Sequence, residues 1–370
     1  MASLFHRHRQ LLDQAVAALS DRGFWTPFPE VPSGRIYGES AREDGQMAYN
    51  ARLGAAFALP GHPESARVGT EVSPYGPSLG ITYPSADPAT LVAASESAAA
   101  PWAAAAPDTR VGLLLEALTR LNAISFEMGN AVMHTTGQAF PMAFQAGGPH
   151  AQDRGLEAVA TAWLEMSRAP ARAVWKKPQG KAAPLVIEKH WRIVPRGVAL
   201  AIGCQTFPTW NSYPGLFASL ATGNTVIVKP HPGATLPLAL TVAVLRDLLA
   251  EQGLPRDVVL LAADSAEAPV TQDLVHHPAV AIDLDAMRSS AASTRVPPDR
   301  RRAPSTRGHP DGRGEPSVRA PSRSQPSARS RGPSASQRRP SAREPPRRSQ
   351  RLRSTRGGAF AQARGRTRRR

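Results

Sequence analysis

The chain reads as an α/β protein with N-terminal helices, a parallel sheet that stops at four strands, and a disordered basic tail. Three observations point there. Before Lys176 the apolar residues recur mainly at helical spacing. After it, short continuous apolar runs alternate with helical stretches. From Asp285 onward the composition changes so sharply that the last segment cannot share the fold of the rest.

Residues 1–87 form a helix and loop region. Leu11, Leu12, Ala15, Val16 and Leu19 give 7–22 an amphipathic helix that Gly23 closes, and the Pro- and Gly-rich stretch 24–88 reads as loops and short strands. Residues 88–175 read as a helical part. A weak helix starts near Pro88 with Leu91, Ala94 and Ala98 on one face, and a stronger one follows Asp108, its expected N-cap. Further helices cover 124–135, ending before Gly137, and 151–167.

Residues 176–284 carry four apolar, largely β-branched runs at 198–204, 225–228, 258–262 and 280–284. Helical stretches at 213–221, 236–251 and 266–275 separate them. Strands buried on both faces and alternating with helices make a parallel sheet with right-handed crossovers. This is an incomplete Rossmann-type sheet, whose ligands bind at the carboxyl ends of the strands. No Gly-x-Gly-x-x-Gly fingerprint is present, so a conventional phosphate loop is not supported.

Residues 285–370 hold 24 arginines, 5 acids and no lysine, a charge of +19 within a chain of +16, so residues 1–284 carry −3. The larger apolar side chains there are Met287, Val296, Val318, Leu352 and Phe360, too few to offset the entropy of ordering. The single cysteine, Cys204, excludes an intrachain disulfide and fits a reducing compartment. With no apolar run long enough to span a bilayer and no secretory leader pattern, a cytoplasmic protein is expected.

The most specific stretch is Gly197-Val-Ala-Leu-Ala-Ile-Gly-Cys-Gln-Thr-Phe-Pro-Thr-Trp-Asn, followed by Leu220-Ala-Thr-Gly-Asn-Thr-Val-Ile-Val-Lys-Pro-His-Pro. With Gly253-Leu-Pro and His277-Pro-Ala-Val downstream, this order resembles the aldehyde dehydrogenase superfamily over about residues 88–284. The Cys-Gln-Thr-Phe-Pro-Thr-Trp-Asn and Lys-Pro-His-Pro variants are most similar to its phenylacetic acid degradation branch. The resemblance implies NAD or NADP as cofactor, a small aldehyde as substrate (coenzyme A-linked in that branch), and a homo-oligomer.

It also implies roles. Asn211 would donate its amide to the oxyanion formed when a thiolate attacks an aldehyde, a contribution of roughly 3–4 kcal/mol; the plainer alternative is a cap on the helix that follows. Thr209 and Trp210 would lie against the cofactor, and Lys229 would meet its adenosine ribose. Pro232 stands where the family has an acid, which leaves NAD versus NADP open, with His231 able to pair a 2′-phosphate when protonated. Cys204 reads as a half-buried structural thiol. His276 and His277 read as partners for helix-end carbonyls, and no metal site is expected.

The family's Phe-Thr-Gly-Ser, general-base glutamate and nucleophilic cysteine have no counterpart after Asp285. Covalent catalysis needs that sulfur, so the chain as written is expected not to oxidise aldehydes. The basic segment admits three readings: an out-of-frame translation of a GC-rich gene, an arginine-rich arm for nucleic acid, or a solvated linker. The first is favoured by the GC-rich codons of its residues and by a break inside a motif.

Overall fold

The computed structural model describes residues 3–285. The basic segment, and the expectation that it is disordered, lies outside the described residues.

Chain order begins with α1 (Leu4–Arg7), α2 (Arg9–Asp21), α3 (Gly34–Tyr37) and α4 (Ala41–Arg52). The short strands β1 (Ala66–Val68) and β2 (Tyr83–Ser85) pair antiparallel. Five helices follow: α5 (Pro88–Ala104), α6 (Pro107–Ala123), α7 (Ser125–Thr136), α8 (Phe140–Gly147) and α9 (Pro149–Ser167). An antiparallel hairpin, β3 (Arg172–Gln179) and β4 (Ala182–His190), leads into the parallel sheet. That sheet is built from β5 (Val198–Ile202), α10 (Pro208–Ala221), β6 (Thr225–Lys229), α11 (Leu236–Glu251), β7 (Val259–Leu261), α12 (Thr271–His276) and β8 (Val280–Asp285).

The sheet order is β7-β6-β5-β8, with all three pairings parallel. Alternate residues point to opposite faces, and both faces are covered. Ala199, Ala201, Val226 and Val228 join the core formed with Phe217 and Leu245 of α10 and α11, whereas Val198, Leu200 and Ile227 cluster with Leu91, Val92 and Leu274 of α5 and α12. Each Val, Leu, Ile or Phe side chain among them contributes about 1.5–3 kcal/mol on burial, and each alanine less. This double cover is why the strands read as continuous apolar runs.

Several boundaries differ from the sequence expectation. The first helix breaks at His8, and Arg22 takes the left-handed turn (φ 53°) that Gly23 was expected to supply. Asp108 is not the N-cap: Ala106 is, with Pro107 at the first position, where a missing N–H costs nothing. The same rule starts α10 at Pro208, five residues earlier than expected. β5 ends at Ile202 rather than Cys204, because Gly203 N–H donates across to Lys229 O (2.8 Å) as the chain turns off the sheet. Helices α4 and α8 and the β3–β4 hairpin were not foreseen.

Residues near 60 close the β7 edge. His62 Nε2 accepts from Leu261 N–H (3.0 Å), and the buried Arg246 donates to Pro60 O, Val259 O and Asp257. Burial, helped by the Arg246 charge, lowers the His62 pKa to about 4, so it is a neutral acceptor. Among the described residues no helix is long and apolar enough to cross a membrane.

Candidate functional site at the carboxyl rim of the sheet

The rim is where β5 and β6 end and α10 and α11 begin. Gly203 lets the chain pass tightly there: a Cβ on it would lie 2.5 Å from Leu238 Cδ1. The loop that follows is tied to the end of α7, with Gln138 Nε2 donating to Thr206 O (2.5 Å) and Gln205 Nε2 to Thr135 O (3.2 Å). The Gly-Asn of the second motif is a brace. Asn224 Oδ1 accepts from Arg196 and Gly197 N–H (2.7 and 3.2 Å), fixing the entry to β5, while Gly223 (φ 92°) packs on the Arg110 guanidinium.

Asn211 sits at the fourth position of α10, so it is not the helix cap; Phe207 holds that place. Its Nδ2 donates to Cys204 Sγ at 3.1 Å, and Thr206 Oγ1 lies 3.5 Å from the same sulfur. Burial raises the Cys204 pKa, but the hydrogen bonds from Thr206, the Phe207 backbone and Asn211 outweigh it, and the net shift is downward. An amide that supports sulfur charge can support an oxyanion in the same place.

Thr209 is fully buried, its hydroxyl donating to Gly147 O (2.9 Å), which makes it a brace between α8 and α10 and not a presented group. Trp210 is half-buried beside Phe207, with the Arg154 guanidinium stacked 3.9 Å from its ring centroid. The structure therefore brings Cys204, Thr206 and Asn211 together, while Trp210 packs against Phe207 and Arg154.

Lys229 ends β6, and its side chain points inward. Nζ donates to Pro230 O (2.5 Å) and lies 2.7 Å from Asp264 Oδ1, an ion-pair contact without good hydrogen-bond alignment; both side chains are 3% exposed. Burial lowers the Lys229 pKa, and Asp264 holds part of it back. Asp264 Oδ2 accepts from Val270 N–H (3.0 Å). His231 lies exposed on the rim, where Nδ1 accepts from Gly233 N–H (3.1 Å). Loss of water around its ring, then the Lys229 charge, lowers its pKa. His276 Nδ1 lies 2.9 Å from Gln272 O within α12.

Two residues here escaped the sequence reading. Asp264, just past the third strand, had one available signal: it is a carboxylate at the carboxyl end of a strand. Glu71 had none. Its Oε1 accepts from Thr235 and Leu236 N–H (2.6 and 2.9 Å), satisfying the start of α11, and its Oε2 accepts from Tyr83 OH (2.5 Å). Burial pushes the Glu71 pKa up despite those donors.

Comparison with known proteins agrees with this geometry. A model of the aldehyde dehydrogenase family matches residues 67–282, more than half of the chain. An NAD-dependent aldehyde dehydrogenase from Burkholderia multivorans is 54% identical, with a TM-score of 0.74, over 76% of this chain and 51% of its own. A 1-pyrroline-5-carboxylate dehydrogenase from Thermus with bound NAD is 22% identical with a TM-score of 0.52, a likeness of fold, over 70% of this chain and 49% of its own. The chain thus spans about half the length of these solved structures. No curated protein matches it.

Proposed function

Because the chain belongs to the aldehyde dehydrogenase family, we propose that residues 88–284 are the front half of an oxidoreductase that converts a small aldehyde to an acid with NAD or NADP. The observation that carries this is the Asn211 amide, held in the first turns of α10 at the carboxyl rim and aimed at a sulfur 3.1 Å away. The residues fit a dinucleotide. The α11 start and the Lys229–Asp264 pair border the position a ribose takes in such sheets. When bound, the cofactor supplies the hydride acceptor. Asn211 holds the developing oxyanion, and Lys229, buried against Asp264, shapes the end of β6 beneath the adenosine end.

The Cys-Gln-Thr-Phe-Pro-Thr-Trp-Asn variant supports a place in phenylacetate degradation, with a coenzyme A-linked aldehyde as substrate, and the single cysteine supports a reducing compartment such as the cytoplasm. Apolar side chains exposed along the β3–β4 hairpin support self-association. The composition break supports an out-of-frame origin for residues 285–370, and a chain that does not turn over aldehydes as written. The decisive experiment reads the gene in its other two frames past codon 284. Recovery of Phe-Thr-Gly-Ser with a later cysteine and glutamate is expected. The restored protein should oxidise aldehydes with NAD(P), and Asn211→Ala should lower kcat about 10²–10³-fold. Turnover by the present chain would refute its expected inactivity, and an Asn211→Ala variant with unchanged kcat would refute the role given to Asn211.

A second reading rests on the +19 charge of residues 285–370: a cofactor-fold remnant that binds nucleic acid through its arginines. Binding to RNA or DNA that is steep in salt and blind to sequence is its signature; binding insensitive to salt would remove it.

A further inference from the structure

Resting on the oxyanion role proposed above for Asn211, we infer that Gln138 is a positioning residue for that chemistry. With Gln205 it ties the end of α7 to the Cys204–Phe207 turn by two crossed amide–carbonyl bonds, and so holds the Asn211 amide in one direction.

The turn needs an outside hold. Its last tie to the sheet is Gly203 N–H donating to Lys229 O, and the backbone is next secured where Asn211 N–H donates to Phe207 O in α10. Between these points, among the described residues, Cys204, Gln205 and Thr206 make no backbone–backbone hydrogen bond. Gln205, Thr206 and Phe207 are exposed, so packing holds them little. The two glutamines supply the hold from opposite sides. Gln138 Nε2 donates to Thr206 O (2.5 Å), and Gln205 Nε2 donates to Thr135 O (3.2 Å) in the last turn of α7.

The anchor is itself fixed. Gly137 ends α7 in the left-handed region (φ 80°), which turns Gln138 off the helix, and Tyr75 OH lies 3.2 and 3.1 Å from Gly137 O and Gln138 O. Gln138 Oε1 is buried with no partner among the described residues, so the side chain's bonding goes to Thr206 alone. From the turn the constraint passes through sulfur: Cys204 Sγ accepts from Asn211 Nδ2 at 3.1 Å. An amide nitrogen carries two hydrogens, so this bond orients Asn211 and leaves one for a developing oxyanion.

Cys204 is the chain's single thiol, so its alkylation by iodoacetamide, followed by mass spectrometry against pH in the full chain, reads this turn. A bond from the amide favours the thiolate, so its loss moves the midpoint of the pH–rate profile upward. Mere loosening changes the rate at every pH and leaves the midpoint in place. Gln138→Met keeps the length and removes the donor together with the unpartnered oxygen, so folding is little affected. Expected are midpoints raised by at least about half a unit in Asn211→Ala and in Gln138→Met, and a double variant raised by less than the sum of the two. Gln205→Met, on the exposed turn, should shift the midpoint in the same sense. The titration of His134 and His231 is shared by all these proteins and cancels in the comparison. Midpoints of both glutamine variants equal to wild type, or shifts that add in the double variant, overturn the positioning role and leave the Asn211 assignment standing. An Asn211→Ala midpoint equal to wild type overturns the contact on which both rest.

Discussion

The parallel sheet and the 172–190 hairpin draw on similar side chains and end in opposite surroundings. Ile227 in β6 is fully buried between helical layers, while Ile187 in β4 is 41% exposed, with Val174, Val186 and Leu185 similarly open. Every strand residue of β6 is buried; none of β4 is. The sheet's β7 edge is closed by His62, whereas both faces of the hairpin meet solvent. β-Propensity alone, then, does not say whether a strand belongs to a core; cover from other elements does.

Four measurements can break or sharpen that contrast. Ile227→Ala should cost about 4 kcal/mol in denaturant unfolding, a buried truncation with its cavity; a loss below about 1 kcal/mol would mean that the sheet is loosely covered. The next effect is a pH dependence. His62 has a folded pKa of about 4 against an ordinary 6.5, so the folded state favours the neutral ring. Its contribution is full above pH 6.5 and is lost as pH falls through 4, on the order of 3 kcal/mol in all. Asp153, which burial pushes up to about 6, acts in the opposite sense over the same range. The expected signature is therefore a difference, the wild-type curve minus that of His62→Gln, that declines toward pH 4; a flat difference would show that the edge is closed by something else.

Glu71→Ala should cost about 2 kcal/mol by leaving the Thr235 and Leu236 N–H groups unsatisfied. Rescue by Glu71→Gln of half or more of that loss would assign it to the helix cap and not to charge. Smallest is Ile187→Ala, within about 0.5 kcal/mol. A loss of 2 kcal/mol there would mean that the hairpin face is covered in solution, and a sedimentation measurement would show by what.

The same contrast explains what was legible. Runs such as Thr225–Lys229 announced themselves because burial on both faces removes polar residues. The hairpin did not, because Lys176, Lys177, Pro178 and Pro184 interrupt any alternation, and its one local signal was Gly180 at the turn (φ 65°). Helix α4 was hidden because it buries only Gly45 and Tyr49; a Cβ on Gly45 would come within 2.3 Å of Phe126 Cβ, so the helix docks by close approach and not by an apolar stripe. Asn211 and Lys229 stood out through the motifs around them. Asp264 did not, since its role exists only once β6 and β7 lie side by side.

Glu71 reaches across 164 residues to the start of α11. The first turn of that helix cannot be completed by its own neighbourhood, so it waits for a stretch that leaves the ribosome long before it. During synthesis the partner is already present when α11 emerges, whereas in refolding from denaturant the two must find each other across a long loop. The order of arrival is thus built into this fold, and a polypeptide begun downstream of the 60–85 region would assemble a sheet with one helix left open at its head.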